Sequence, residues 1–304
     1  MRLAYYSLAN VPSDSREHQW IQSIRSMRRR NRSIPVWLFV FNDASKQLLA
    51  EAERWNVHLC FLGDYSAFLR KAHPQGAILA LYPTFHKFLV LPHLPLQKAT
   101  QVLYLDCDTF FFDDVDLLFD LHREQDWYAR EEFMSRRSAL GYDPNHVDEE
   151  LLMSITHRER LHYIPPFNSG VCLLNHGIWH CLDGLSDAYL SLAWRLLCGR
   201  EISKPSEKVR NPQLWKAIMG AATEPDRVHA LAYPSTNDWI IEQIALWLWV
   251  GRLSHFSLGT LSPAHVLQGN EFETMLSPDQ QCVVAHYFTG MERQFFASVP
   301  QIAA

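Results

Sequence analysis

Asp106 and Asp108, two residues apart around Cys107, follow directly on the apolar run Gln101 to Leu105 (QVLYL). Such a run reads as a buried strand, so both carboxylates stand at its C-terminal end, where open α/β sheets bind ligands. Two hard oxygen donors at that spacing suit Mg²⁺ or Mn²⁺, ions that take one or two carboxylates and complete their shell with phosphate oxygens. A solvated acidic turn has the same look, so the rest of the chain has to decide.

Three later groups bear on it. Pro166-Phe167-Asn168-Ser169-Gly170 runs into the apolar stretch Val171 to Asn175, placing small polar donors and a glycine where backbone must approach a ligand closely. Asn237-Asp238-Trp239 leads into Glu242-Gln243 at the start of an apolar helix. A carboxylate there is also what the helix dipole favours in a first turn. Finally, His286-Tyr287-Phe288-Thr289-Gly290 follows the strand-like Cys282 to Ala285 and is succeeded by Arg293. A neutral imidazole can complete a metal shell begun by two aspartates, and the plain alternative is a buried structural histidine.

The elements that must position these residues alternate. Arg2 to Ser7 reads as a strand, Ser13-Asp14-Ser15 as caps of a helix with Trp20, Ile21, Ile24 and Met27 on one face, and Ile34 to Phe41 as a strand buried on both sides. Ala44 to Trp55 predicts a helix, Val57 to Leu62 a third strand, Pro83 to Pro92 a helix, Leu117 to Leu121 another, and Asp126 to Arg130 a further strand. Units in this order predict an α/β fold with a mostly parallel central sheet flanked by helices.

With these residues in this order, the chain resembles the retaining glycosyltransferases of family 8 and their relatives, nucleotide-diphospho-sugar transferases of the GT-A, Rossmann-like fold. The resemblance runs from the first strand to about Arg293. It implies that Asp106 and Asp108 are the DxD metal motif, in the run Val102-Leu103-Tyr104-Leu105-Asp106-Cys107-Asp108-Thr109, and that His286 is the third ligand. It implies that Asn168, Ser169 and Gly170 lie along the donor sugar and that Glu242-Gln243 faces the reacting sugar carbon. Lys87, in Thr84-Phe85-His86-Lys87, is implied to approach the donor phosphates, and Tyr6 and Ser7 to hold base and ribose. The family's ending is His, two residues, Gly, two residues, Lys-Pro-Trp; here three residues separate His286 from Gly290, and Arg293-Gln294-Phe295 replaces Lys-Pro-Trp. Arg293 would keep a phosphate contact, since arginine binds phosphate at least as well as lysine.

The function expected from the resemblance is Mn²⁺- or Mg²⁺-dependent transfer of a hexose, with retention, from a nucleotide-sugar donor of the UDP type to a saccharide, lipid-linked saccharide or protein. One domain would span residues 1–304, with acceptor-side loops at 133–150 and 199–213. Two other readings are carried beside it. Leu105-Asp106-Cys107-Asp108-Thr109 also looks like the first motif of haloacid-dehalogenase-type phosphatases with Asp106 as nucleophile, although at least three β units precede it. The other is a sugar-nucleotide-binding module without turnover.

Composition excludes much else. Twenty-eight Lys+Arg against thirty-three Asp+Glu give −5, so no overall basic field draws in nucleic acid. Six scattered cysteines without a CxxC pair predict free thiols and a cytoplasmic setting rather than zinc or a disulfide scaffold. The N-terminus reaches polar residues too soon for a signal peptide, and the apolar run Trp239 to Val250 falls short of the roughly twenty residues a membrane span needs. Arg25, Arg28, Arg29, Arg30 and Arg32 at the end of the first helix offer a peripheral membrane contact, but cations there also simply suit the helix dipole.

Overall fold

A computed structural model describes residues 1–9, 15–132, 147–182, 184–203, 212–235, 240–269, 271, 282–288 and 291–302. Strands β1 (Arg2–Ala9), β2 (Val36–Phe41) and β3 (His58–Phe61) form where the apolar runs predict them, with α1 (Arg16–Arg30) and α2 (Lys46–Arg54) between. Ser45 caps α2 by accepting the Leu48 N–H at 3.1 Å. The helix α1 begins at the end of its predicted cap; Ser13 and Asp14 lie outside the described residues. Helices α3 (Tyr65–Ala72), α4 (Gly76–Leu79) and α5 (His86–Leu89) follow. The helix expected over Pro83 to Pro92 is thus a single turn, α5, succeeded by a 3₁₀ turn at Leu91–His93, because Pro92 has no N–H with which to continue an α-helical ladder.

Next come β4 (Gln101–Leu105), β5 (Thr109–Phe111), α6 (Asp116–Leu121), β6 (Trp127–Glu131), α7 (Glu149–Arg158) and β7 (Phe167–Asn175). The remainder is α8 (Leu185–Ser203), α9 (Pro212–Ala221), α10 (Glu224–Val228), α11 (Ile241–Val250), β8 (Leu258–Thr260), β9 (Val266–Gln268), β10 (Val284–His286) and α12 (Glu292–Ile302). Of the two expected acceptor loops, most lies outside the described residues. Their described ends are helical: Glu149 opens α7, α8 runs on to Ser203, and α9 begins at Pro212.

The central sheet has seven strands in the order β3-β2-β1-β4-β7-β6-β8, and β7 alone runs against the others. Helices cover both faces. In β1 the alternation is explicit, with Leu3, Tyr5 and Ala9 in the core beneath α5, α8 and α11, and Ala4, Tyr6 and Leu8 in the core beneath α1 and α2. Every residue of α11 is buried, as expected of a helix apolar nearly all round. A smaller sheet, β5-β10-β9, pairs His286 with Thr109 and so carries the last strand to within one residue of Asp108. Its outer face packs under α12, where Phe295 stacks on Tyr287 with ring centroids 4.7 Å apart.

Two buried cations are structural. Arg28 folds under the end of α1 and donates to the carbonyls of Ile34 at 2.8 Å and Trp55 at 3.1 Å, while Arg25 pairs with Glu51. The basic helix end therefore spends two of its arginines on packing; Arg29, Arg30 and Arg32 are exposed. Arg130 at the end of β6 meets Glu271 at 2.7 Å, both buried, and Glu271 also accepts the Gln268 N–H at 2.9 Å, which ties the large sheet to the small one. Arg130→Ala is expected to destabilise the protein by about 3–5 kcal/mol, since it strands a buried carboxylate. Urea unfolding measures this, and an unchanged midpoint would show that the pair ties nothing.

Candidate active site

The strand order reverses between β1 and β4, and at that switch point, beyond the strands' C-terminal ends, lies a cavity of about 410 Å³. Asp106 follows β4 directly. Because β7 is antiparallel, its N-terminal end lies on the same edge, so Asn168, Ser169 and Gly170 sit beside Asp106, whose N–H donates to the Gly170 carbonyl at 2.7 Å.

Asp106, Asp108 and His286 each offer one ligand atom, all within 4.8 Å of one another. His286 Nε2 lies 3.2 Å from Asp108 Oδ1 and 3.6 Å from Asp106 Oδ2. Burial favours the neutral ring, but Asp108 and Asp106 outweigh it and raise the His286 pKa. Two carboxylates and an imidazole converging at this range are a fitting shell for an Mn²⁺-type ion.

Gly170 has a different reason from the one its sequence context suggests. A Cβ built there would fall 2.1–2.6 Å from three atoms of the His286 ring. The missing side chain makes room for the His286 ring. Gly170→Ala is therefore expected to displace His286 and weaken Mn²⁺ binding at least tenfold, at a stability cost of about 1–3 kcal/mol for overpacking. Calorimetric titration with Mn²⁺ checks it; wild-type affinity would mean that the ring is not a ligand.

Lys87, reaching from α5, is enclosed by acceptors. Its ammonium lies 2.9 Å from Asp106 Oδ2, 3.0 Å from Glu242 Oε2 and 3.2 Å from Ser169 Oγ. Burial opposes its charge, yet the two carboxylates more than offset it and the pKa is raised. Glu242 stands in the first turn of α11, as the dipole argument allows, and is also in the cavity wall. Burial pushes its pKa up against the opposing pull of Lys87, and Ser169 Oγ donates to its other oxygen at 2.6 Å. Gln243 Oε1 accepts the Ser169 N–H at 2.8 Å, which assigns the amide and leaves its nitrogen as the end able to donate to a ligand. Asn168 is held from both ends, donating to Glu132 at 3.1 Å and accepting the Gly170 N–H at 2.8 Å. Asp106 has both oxygens engaged, one by Lys87 and one by the Tyr104 hydroxyl.

Ser7 lines the cavity, with His86 Nδ1 2.8 Å from its hydroxyl. Burial depresses His86 to about 3, so its ring is neutral. Tyr6, expected beside Ser7 at the donor, points the other way: strand alternation buries it under α1, where its hydroxyl pairs with Ser23 at 2.8 Å and its ring packs edge-on to Trp20. Arg293 is exposed on α12 and is not among the residues that line the cavity. Gly290 lies outside the described residues, as do Asn237, Asp238 and Trp239. Sequence reasoning passed over Arg16, Gln19, His86 and Phe288, all in the wall. Only His86 carried a signal, as Lys87's neighbour on a one-turn helix.

Among solved structures, mouse xyloside xylosyltransferase 1 is 14% identical at a TM-score of 0.49, with 95% of this chain and 99% of that one covered. LgtC, a galactosyltransferase solved with donor and acceptor sugar analogues, is 13% identical at 0.49, covering 94% and 87%. WbbM, a bifunctional glycosyltransferase, is 14% identical at 0.52, covering 94% of this chain and 45% of that one. At these identities the likeness is one of fold, which the WbbM match carries: the mixed α/β architecture is that of GT-A glycosyltransferases. No protein-family profile matches the chain, and no curated protein does.

Proposed function

We propose that this chain is a metal-dependent glycosyltransferase, acting as a single domain, that moves a hexose from a nucleotide-diphospho-sugar to an acceptor hydroxyl with retention. The observation that carries the reading is the joining, in one cavity, of the Asp106–Asp108–His286 triad to the Lys87–Glu242–Ser169 cluster. Neither group follows from the fold alone.

Asp106, Asp108 and His286 would hold the divalent ion, which when bound supplies Lewis-acid stabilisation to a leaving diphosphate. Lys87 adds a fixed ammonium next to that position, already desolvated and so needing little reorganisation as charge builds. Asn168 and the Gln243 amide nitrogen are the donors that face a sugar. Glu242 presents a carboxylate to a positively polarised anomeric carbon. Both of its oxygens are already engaged, by Ser169 and Lys87, which suits an electrostatic stabiliser better than a nucleophile. Ser7 stands at the β1 side, where base or ribose would lie.

The donor is expected to be a UDP-sugar and the acceptor a saccharide, free or lipid-linked, or a protein. Six free cysteines suit a reducing, cytoplasmic setting. No helix of the described residues is long and apolar enough to cross a membrane, and the exposed Arg29, Arg30 and Arg32 offer a peripheral contact. A thermal-shift screen of nucleoside diphosphates and their sugars, each with and without Mn²⁺, tests the reading. Stabilisation by one base series, only with the ion, is expected. No shift with any of them would overturn it.

A further inference from the structure

Asp106, Cys107 and Asp108 form the turn between β4 and β5, outside the ladder of either strand. Backbone bonds hold its two ends: the Asp106 N–H donates to the Gly170 carbonyl at 2.7 Å, and the Tyr287 N–H donates to the Asp108 carbonyl at 3.0 Å. The Asp106 carbonyl is held by a side chain, since the Thr109 hydroxyl donates to it at 2.9 Å. That hydroxyl ends a longer path. Ser23 Oγ of α1 lies 2.7 Å from Thr109 Oγ1, and the Tyr6 hydroxyl of β1 lies 2.8 Å from Ser23 Oγ.

The direction of each bond in this path follows from counting donors. A carbonyl only accepts, so Thr109 commits its one hydroxyl hydrogen to Asp106 and must accept from Ser23. Ser23 then has no hydrogen left for Tyr6 and accepts from it. Tyr6 has that hydrogen to give, because burial raises the pKa of its phenol. The result is a one-way chain from Tyr6 through Ser23 and Thr109 to the Asp106 carbonyl, joining β1, α1 and β5 to the acidic turn. All three side chains are fully buried, so no solvent reaches them to stand in for a missing hydroxyl. A second tie between the same helix and strand offers a comparison. Ser26, one turn on from Ser23, accepts the Phe111 N–H at 2.9 Å and donates to the Ser23 carbonyl at 2.7 Å. It fastens α1 to β5 without leading to Asp106.

We propose that Tyr6, Ser23 and Thr109 are positioning residues of the divalent-cation site, their chain fixing the backbone from which Asp106 and Asp108 turn their carboxylates toward His286. The assignment rests on the metal reading above. Its test is calorimetric titration of Mn²⁺ alone into the full chain, beside urea unfolding of each variant. Thr109→Val, which removes the bond to the turn itself, is expected to weaken Mn²⁺ about tenfold, the low end for a hydrogen bond behind a metal ligand, and Thr109→Ser to restore affinity to within about twofold. Ser23→Ala and Tyr6→Phe, each a step further from the turn, are expected to lose about fivefold and threefold. Ser26→Ala is expected to lose stability as Ser23→Ala does and to bind Mn²⁺ like the wild type. Wild-type affinity in Thr109→Val, or an equal loss of affinity in Ser26→Ala, would overturn the assignment while leaving the metal reading intact. Should Thr109→Val not fold, Ser23→Ala against Ser26→Ala decides in the same way. A wild type that binds no Mn²⁺ would overturn both.

Discussion

Asp108→Asn is expected to abolish Mn²⁺-dependent nucleotide binding and to lower turnover by about 10³-fold, the equivalent of several kcal/mol of metal-derived stabilisation, with little change in melting temperature. Asp108 stands in the loop past β4 with its carboxylate directed at His286, so the neutral amide removes one charge of the proposed metal shell and the charge that holds the His286 pKa up. Asp106→Asn is expected to lose metal binding equally and to cost stability as well. Its two oxygens accept from Lys87 and from the Tyr104 hydroxyl, and an amide presents only one acceptor to those two donors. Calorimetry of Mn²⁺ with the binding diphosphate, beside urea unfolding of both variants, separates the two cases. Unchanged Mn²⁺-dependent affinity in Asp108→Asn would remove the metal assignment.

Why the acidic pair was legible in the chain and the wall around it was not has a physical basis. Asp106 and Asp108 follow a strand that is buried at every position and apolar after Gln101, and such a strand places the polar residues that follow it at the sheet edge. Asn168 to Gly170 and Glu242-Gln243 are likewise polar groups abutting apolar runs, so their exposure to a common edge followed from pattern. The same uniform burial hid which face each residue of β1 would take. Seven of its eight residues are buried, so nothing in the local pattern separated Tyr6, which faces α1, from Ser7, which faces the cavity. Gly170 could be marked as a site of close approach, but that the approaching group is the His286 ring depends on the pairing of β10 with β5, across more than half the chain. Arg16 carried no signal at all, because an arginine in a first helical turn is disfavoured by the dipole and unremarkable in type. The roles of Arg293 and Phe295, which stand where the resembled family has Lys-Pro-Trp, are read only in three dimensions. Phe295 supplies the aromatic that stacks on Tyr287 and packs the small sheet, while Arg293 faces solvent.

Glu242→Gln is expected to lower turnover by about 10²- to 10³-fold, the range for losing one preorganised electrostatic contact, while donor affinity changes only a few-fold. The substitution is nearly isosteric, but its amide offers one acceptor oxygen to the two donors Ser169 and Lys87, so the variant is expected to fold with some loss of stability. What goes is the negative charge proposed to face the anomeric carbon, and with it half of the compensation for Lys87, which then rests on Asp106 alone. A loss in turnover without a loss in binding marks an interaction made chiefly in the transition state, which is the role assigned to this carboxylate. The same geometry bears on stereochemistry. An inverting transferase needs a base that can take the acceptor's proton, and a buried carboxylate with one oxygen bound to a hydroxyl and the other to an ammonium is poorly placed to accept it. If Glu242 covers the face of the sugar opposite the diphosphate, as proposed, the acceptor would attack from the leaving-group side and the configuration would be kept. Proton NMR of the first-formed product decides. An α-gluco or α-galacto donor is expected to give an α anomeric coupling, whereas a β coupling, or Glu242→Gln with wild-type turnover, would remove Glu242 from the stabilising role and require a base elsewhere in the wall.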